Sequence, residues 1–148
     1  MELKKIILVE DNLSDVELAQ RALKKLNISN PLVVLEDGKE ALDYLFKRDK
    51  YSNLPENDYP ALVLLDLKLP IIDGLTVLKE LRSNPKTRSI IVVILTSSKE
   101  EEDLVQGYQI GVNSFIQKPV DFSRFLEVMK QIGLYWLLLN EGPHGIQS

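Results

Sequence analysis

Five short apolar runs punctuate the chain, and helix-patterned segments separate them. The runs are IILV at 6–9, PLVVL at 31–35, ALVLL at 61–65, IIVVIL at 90–95 and SFIQ at 114–117. Most read as continuous apolar stretches and do not alternate with polar residues, as expected of strands covered on both faces. Between them, apolar residues recur at helical spacing, as in Val16, Ala19, Leu23 and Leu26. Strands that alternate with short helices pair in parallel through right-handed crossovers. The expected fold is therefore α/β: a three-layer sandwich around a doubly wound five-stranded parallel sheet.

Local signals place the helix ends. Ser14, with Glu17 three residues on, reads as a capping box opening the first helix. Asp37-Gly38 turns the chain into a helix carrying Ala41, Leu42 and Leu45. Residues 47–60 are polar and hold two prolines, so a surface loop is expected there. Pro70 and Gly74 bracket the next loop, and Leu75, Leu78 and Leu81 mark a third helix stopping near Asn84-Pro85. Ser98 with Glu101 forms a second capping-box pattern. The last helix is expected from about 123 to 140, ended by Gly142-Pro143. With 148 residues the chain suits one domain, 1–140, followed by a tail, 141–148, too short for an output module.

Composition removes several chemistries. The chain has no cysteine, which excludes disulfides, thiolate metal sites and a Cys nucleophile. Its one histidine, His144, lies in the tail, which disfavours a Ser-His-Asp triad or a His-rich metal site. A net charge of -4 argues against nucleic acid as a direct ligand. The amino terminus lacks a signal-peptide pattern, and the apolar run at 134–139 is too short to span a membrane, so cytoplasmic residence is expected.

Acids stand where the apolar runs stop: Glu10 and Asp11 after the first, Asp66 after the third. Each alone reads as a helix-capping acid. Together they meet only if strands one and three are neighbours, as in the doubly wound order 2-1-3-4-5, whose ligand site lies at the carboxyl ends of the strands. Three converging carboxylates repel one another, and a hard cation such as Mg²⁺ is the simplest remedy. Lys118 ends the fifth run and would face the same site as a fixed positive charge, an arrangement suited to a phosphoryl group. Asp66 is then the nucleophile candidate. Thr96, at the end of the fourth run, could hydrogen-bond a phosphoryl oxygen, and Ser97 could offer its backbone N–H. Pro119 after Lys118 makes that bond a cis-peptide candidate.

EDN at 10–12, LLDLKLPIIDG at 64–74, LTSS at 95–98 and FIQKP at 115–119 together resemble the receiver domain of two-component response regulators. The resemblance covers 4–139. It implies the flavodoxin-like strand order 2-1-3-4-5. It also implies Asp66 as phosphoacceptor, Asp11 and Glu10 as Mg²⁺ ligands with Asp66, and the carbonyl of Lys68 as a further ligand. Thr96 matches the switch hydroxyl, and Lys118 the ammonium that contacts the phosphoryl group. Phe115 stands at the switch aromatic position, where the family often carries Tyr, and Pro119 at a position of a cis bond. The implied activity is phosphoryl acceptance from a sensor histidine kinase, with slow self-dephosphorylation and no turnover of outside substrates. The long loop at 47–60 and the apolar end LYWLLLNEGP are similar to stand-alone response regulators of bacterial phytochrome histidine kinases.

Two other readings compete. A Mg²⁺-dependent phosphohydrolase with an aspartyl-phosphate intermediate also sets an Asp after a strand, but it needs a second acid two positions later, where this chain has Lys68. A binding-only pseudo-receiver would carry a damaged acid cluster, and this one is intact. In the last helix, Phe122, Phe125, Leu126, Met129 and Trp136 follow one face, and Val128, Ile132, Tyr135 and Leu139 another. A helix apolar on two sides is either wholly buried or meets a partner, and a homodimer through this helix and the neighbouring strand is expected.

Overall fold

The computed structural model describes residues 3–132. Strands β1 (Ile6–Val9), β2 (Leu32–Leu35), β3 (Leu62–Asp66), β4 (Val92–Thr96) and β5 (Ser114–Gln117) form one sheet in the order β2-β1-β3-β4-β5. Every neighbouring pair is parallel. Helices α1 (Leu13–Lys25), α2 (Gly38–Leu45), α3 (Gly74–Ser83), α4 (Lys99–Gly107) and α5 (Phe122–Gln131) alternate with the strands. The three-layer α/β sandwich and its strand order are as the sequence implies.

Strand residues alternate between two cores. Ile6, Leu8, Leu62, Leu64, Val93 and Leu95 pack with Val16, Ala19 and Leu23 of α1 and Phe125, Val128 and Met129 of α5. Ile7, Val9, Val63, Leu65, Val92 and Ile94 pack with residues of α2, α3 and α4. Both faces of the three central strands are therefore dry, which is why their sequences lack polar alternation. Truncating any of these fully buried Leu or Ile side chains to Ala would cost about 2–5 kcal/mol.

Several helix ends differ from the sequence expectation. Helix α1 starts at Leu13, one residue before Ser14, because Asn12 caps it and accepts from the Asp15 N–H at 3.1 Å. Asn is as good a cap as Ser, and at position 12 it lets the helix start directly below the β1 tip. Strands β3 and β4 end one residue later than expected, so Asp66 and Thr96 are themselves the last ladder residues. The loop at 47–60 contains a 3₁₀ turn, Asp49–Tyr51, and rests Tyr51, Leu54 and Tyr59 against the core. Its polar composition hid these anchors. In α5, Phe125, Val128 and Met129 are buried, while Phe122, Leu126 and the C-cap Ile132 are partly buried. The expected continuation to residue 140, with Tyr135, Trp136 and Leu139, lies outside the described residues, as does His144. Among the described residues no helix is long and apolar enough to cross a membrane.

Candidate functional site

The ladder register sets the site. Val9 pairs with Leu65 and Leu65 with Ile94, so the chain leaves β1, β3 and β4 at one edge of the sheet. Glu10 and Asp11 follow β1, Asp66 ends β3, Thr96 ends β4 and Lys118 follows β5. Glu10, Asp11 and Asp66 each offer a carboxylate oxygen, and these oxygens lie within 4.8 Å of one another. An oxygen-only cluster of this kind suits a hard divalent cation.

Lys118 balances the cluster. Its ammonium is 2.8 Å from Glu10 Oε1, 3.1 Å from Asp66 Oδ2 and 3.1 Å from Asp15 Oδ2. Sequence reasoning missed Asp15. Its signal was its place in the first turn of α1, three residues after the Asn12 cap and just past the β1 tip. Three carboxylates thus contact one ammonium, with Asp11 beside Glu10 and Asp66, and the excess negative charge remains. Burial pushes the Glu10 carboxyl up to about 7, against the pull of Lys118, and the Asp66 charge adds to the rise. Burial alone would depress Lys118, but its contacts with Glu10 and Asp66 outweigh that and hold the ammonium above its ordinary value.

Backbone groups shape the rest. The Lys68 N–H donates to Asp66 Oδ1 at 3.3 Å and the Asn12 N–H to Glu10 Oε2 at 3.2 Å. The loop from β3 to α3 folds back so closely that a Cβ on Gly74 would sit 2.1 Å from the Asp66 carbonyl oxygen. A Cβ on Gly38 would sit 1.8 Å from the Ile72 carbonyl oxygen, so the start of α2 presses on the same loop. Only glycine permits either approach. The Lys118 N–H donates to the Thr96 carbonyl at 2.7 Å, joining the β5 end to the β4 end. The Lys118-Pro119 bond is cis.

Thr96 is fully buried, and its hydroxyl has no hydrogen-bond partner among the described residues. Ser97 is exposed, and its N–H and hydroxyl donate to Glu101. Phe115 lies in β5 opposite Ile94, partly buried against the core on the α3 and α4 side. Leu104 and Tyr108, on and just after α4, are exposed. Glu10, Asp11, Asp66, Lys68, Thr96, Ser97 and Lys118 thus lie at the carboxyl edge of the sheet, with Phe115 on β5 beside it.

Comparison with known proteins agrees with this geometry. The response regulator receiver domain profile matches residues 6–130. The chain is 38% identical to the response regulator Rcp1 of Synechocystis sp. over 134 residues, 90% of this chain and 89% of that one. Among solved structures it resembles the bacteriophytochrome response regulator RtBRR, with 47% identity, a TM-score of 0.87, and 97% of this chain and 86% of that one covered. It also resembles the bacteriophytochrome response regulator AtBRR, with 51% identity, a TM-score of 0.85, and 95% and 99% covered. Rcp1 itself has been solved in a Mn²⁺-bound form, similar to this chain at a TM-score of 0.72, with 36% identity and 95% and 97% covered. The acid pocket, the strand order and these likenesses converge: the chain belongs to the response regulator receiver domain family.

Proposed function

We propose that Asp66 accepts a phosphoryl group from the phosphohistidine of a sensor histidine kinase, with Mg²⁺ bound between Glu10, Asp11, Asp66 and the Lys68 carbonyl. The observation that carries this reading is the setting of the Asp66 carboxylate. One oxygen meets the Lys118 ammonium, the other accepts the Lys68 N–H, and two further acids stand within ligand distance. Mg²⁺ supplies charge neutralisation of the incoming phosphoryl oxygens. The Mn²⁺-bound form of the relative Rcp1 supports a divalent ion at this pocket. A carboxylate oxygen of Asp66 attacks phosphorus in line; the P–N bond breaks and its electron pair leaves with the imidazole nitrogen. Lys118 stays beside Asp66 and offsets the added charge of about -1.5 to -2.

The product creates an acceptor that the free protein lacks. The buried Thr96 hydroxyl then has a partner, the Ser97 N–H has a second claimant, and Phe115 follows Thr96 inward. An interaction available in one state only biases a two-state element. The exposed Leu104 and Tyr108 make the α4 face the natural output surface. Water slowly hydrolyses the acyl phosphate and resets the switch, and no outside phosphomonoester is turned over. The likeness to RtBRR and AtBRR supports a phytochrome-type kinase as partner. A homodimer through the carboxyl-terminal helix and β5 completes the reading; sedimentation at micromolar concentration tests it, and a strict monomer with or without phosphate rejects it.

Acetyl phosphate and Mg²⁺ provide the direct test. The intact mass rises by one phosphoryl group in the wild type and stays unchanged in Asp66→Asn. Labelling that persists in Asp66→Asn rejects the assignment.

A further inference from the structure

The end of β4 carries an arrangement that the acid pocket does not require. In an ordinary capping box the N3 carboxylate reaches back to the N-cap backbone N–H. Ser98 is the N-cap of α4, and its hydroxyl accepts the Glu101 N–H at 3.2 Å. The Glu101 carboxylate, however, reaches past Ser98. Its Oε1 accepts the Ser97 N–H at 2.8 Å, and its Oε2 accepts the Ser97 hydroxyl at 3.0 Å. The same carboxylate meets Lys68 Nζ at 3.3 Å and is only 14% exposed. It therefore bridges the residue after Thr96 and the residue two after Asp66, across the mouth of the site.

We propose that Glu101 gates the phosphoryl subsite: it occupies the Ser97 N–H in the unphosphorylated protein and must release it when Asp66 is phosphorylated. The inference rests on the reading of Asp66 as phosphoacceptor and of Ser97 as a phosphoryl donor group. A backbone N–H carries one hydrogen, and sharing it between two anions weakens both bonds. A phosphoryl oxygen brought beside the Glu101 carboxylate also meets like charge. Glu101 need not become unpaired when it lets go, because the Lys68 ammonium already lies against it. Lys68, on an exposed side chain, can follow the carboxylate outward. Glu101 is thus a positioning residue that sets how readily the subsite fills, and it touches no reacting atom.

The test titrates the full chain with beryllofluoride, a phosphoryl analogue that binds carboxylates, in Mg²⁺ by calorimetry. Glu101→Ala is expected to bind about tenfold more tightly than the wild type, the worth of one charge-assisted hydrogen bond released from competition. Glu102→Gln removes one charge from the same helix without touching Ser97, and its affinity is expected to stay within about twofold of the wild type. If Glu101→Ala is poorly folded by thermal melting, Glu101→Gln reads the same effect, expected at about threefold because a neutral acceptor holds the N–H less firmly. A Glu101 variant that binds no more tightly than the wild type, or a Glu102→Gln shift of equal size, overturns the gate while leaving Asp66 as acceptor. A wild type that fails to bind, or an Asp66→Asn variant that binds as well as the wild type, overturns the phosphoacceptor reading and the gate with it.

Discussion

Replacing Gly74 by alanine should damage the fold and the acid pocket together. The new Cβ would lie 2.1 Å from the Asp66 carbonyl oxygen and 2.7 Å from Leu67 Cα, both backbone atoms of the segment that carries the phosphoacceptor. No rotamer can relieve the contact, so the β3–α3 loop must move by about 1 Å or more to restore ordinary separations. Overpacking of this kind costs about 1–3 kcal/mol. The Gly74 N–H also donates to the Leu67 carbonyl at 2.8 Å, and weakening that bond adds about 1 kcal/mol. Alanine recovers part of this at the first residue of α3, at most about 1 kcal/mol. The net loss is about 2–3 kcal/mol, which for a chain of this length lowers the melting midpoint by roughly 7–10 °C. Circular dichroism melts in EDTA measure it, with Mg²⁺ affinity measured in parallel and expected to fall. Gly107→Ala is the control, since a Cβ there meets nothing within 4 Å and should be neutral or mildly stabilising. A Gly74→Ala midpoint within about 2 °C of the wild type, with unchanged Mg²⁺ affinity, refutes the reasoning.

Thr96→Val replaces a buried hydroxyl without a protein partner by an apolar group of similar shape, so urea denaturation should show stability unchanged or raised by about 1 kcal/mol, while phosphorylation no longer alters the α4 surface in amide hydrogen exchange. Lys5 is held by Asp58 at 2.8 Å and by the Tyr44 hydroxyl at 2.9 Å, and these partners push its ammonium up to about 12. Because the folded value lies above the unfolded one, this stabilisation is complete below about pH 10.5 and is lost as pH rises through about 12; Asp58→Asn should flatten that part of the stability profile in urea titrations.

The parallel sheet was legible because burial on both faces leaves no polar position in the central strands, and Leu62, Val63, Leu64 and Leu65 carry that signature openly. The acids were legible because a doubly wound sheet gathers its strand ends, so Glu10, Asp11, Asp66, Thr96 and Lys118 needed only the strand order to meet. What remained hidden depended on choices among equivalent local partners. Asn12 and Ser14 are both good caps, and the tightness of the β1–α1 turn decides for Asn12. Asp15 carries no motif of its own, and only its 3.1 Å approach to Lys118 makes it part of the site. Glu101 read as a capping-box residue, yet its carboxylate spends itself on Ser97 and Lys68. Tyr51, Leu54 and Tyr59 were lost in a polar loop, where apolar periodicity is too short to register.

Phosphoryl acceptance at one carboxylate is tested most directly by trapping. An acyl phosphate is reduced by borohydride to an alcohol, which converts a phosphorylated aspartate to homoserine. After treatment with acetyl phosphate and Mg²⁺, peptide mass mapping should find homoserine at position 66 and nowhere else. Homoserine at position 11 or 15, or none at all in a protein whose intact mass carries the phosphoryl group, would contradict the assignment.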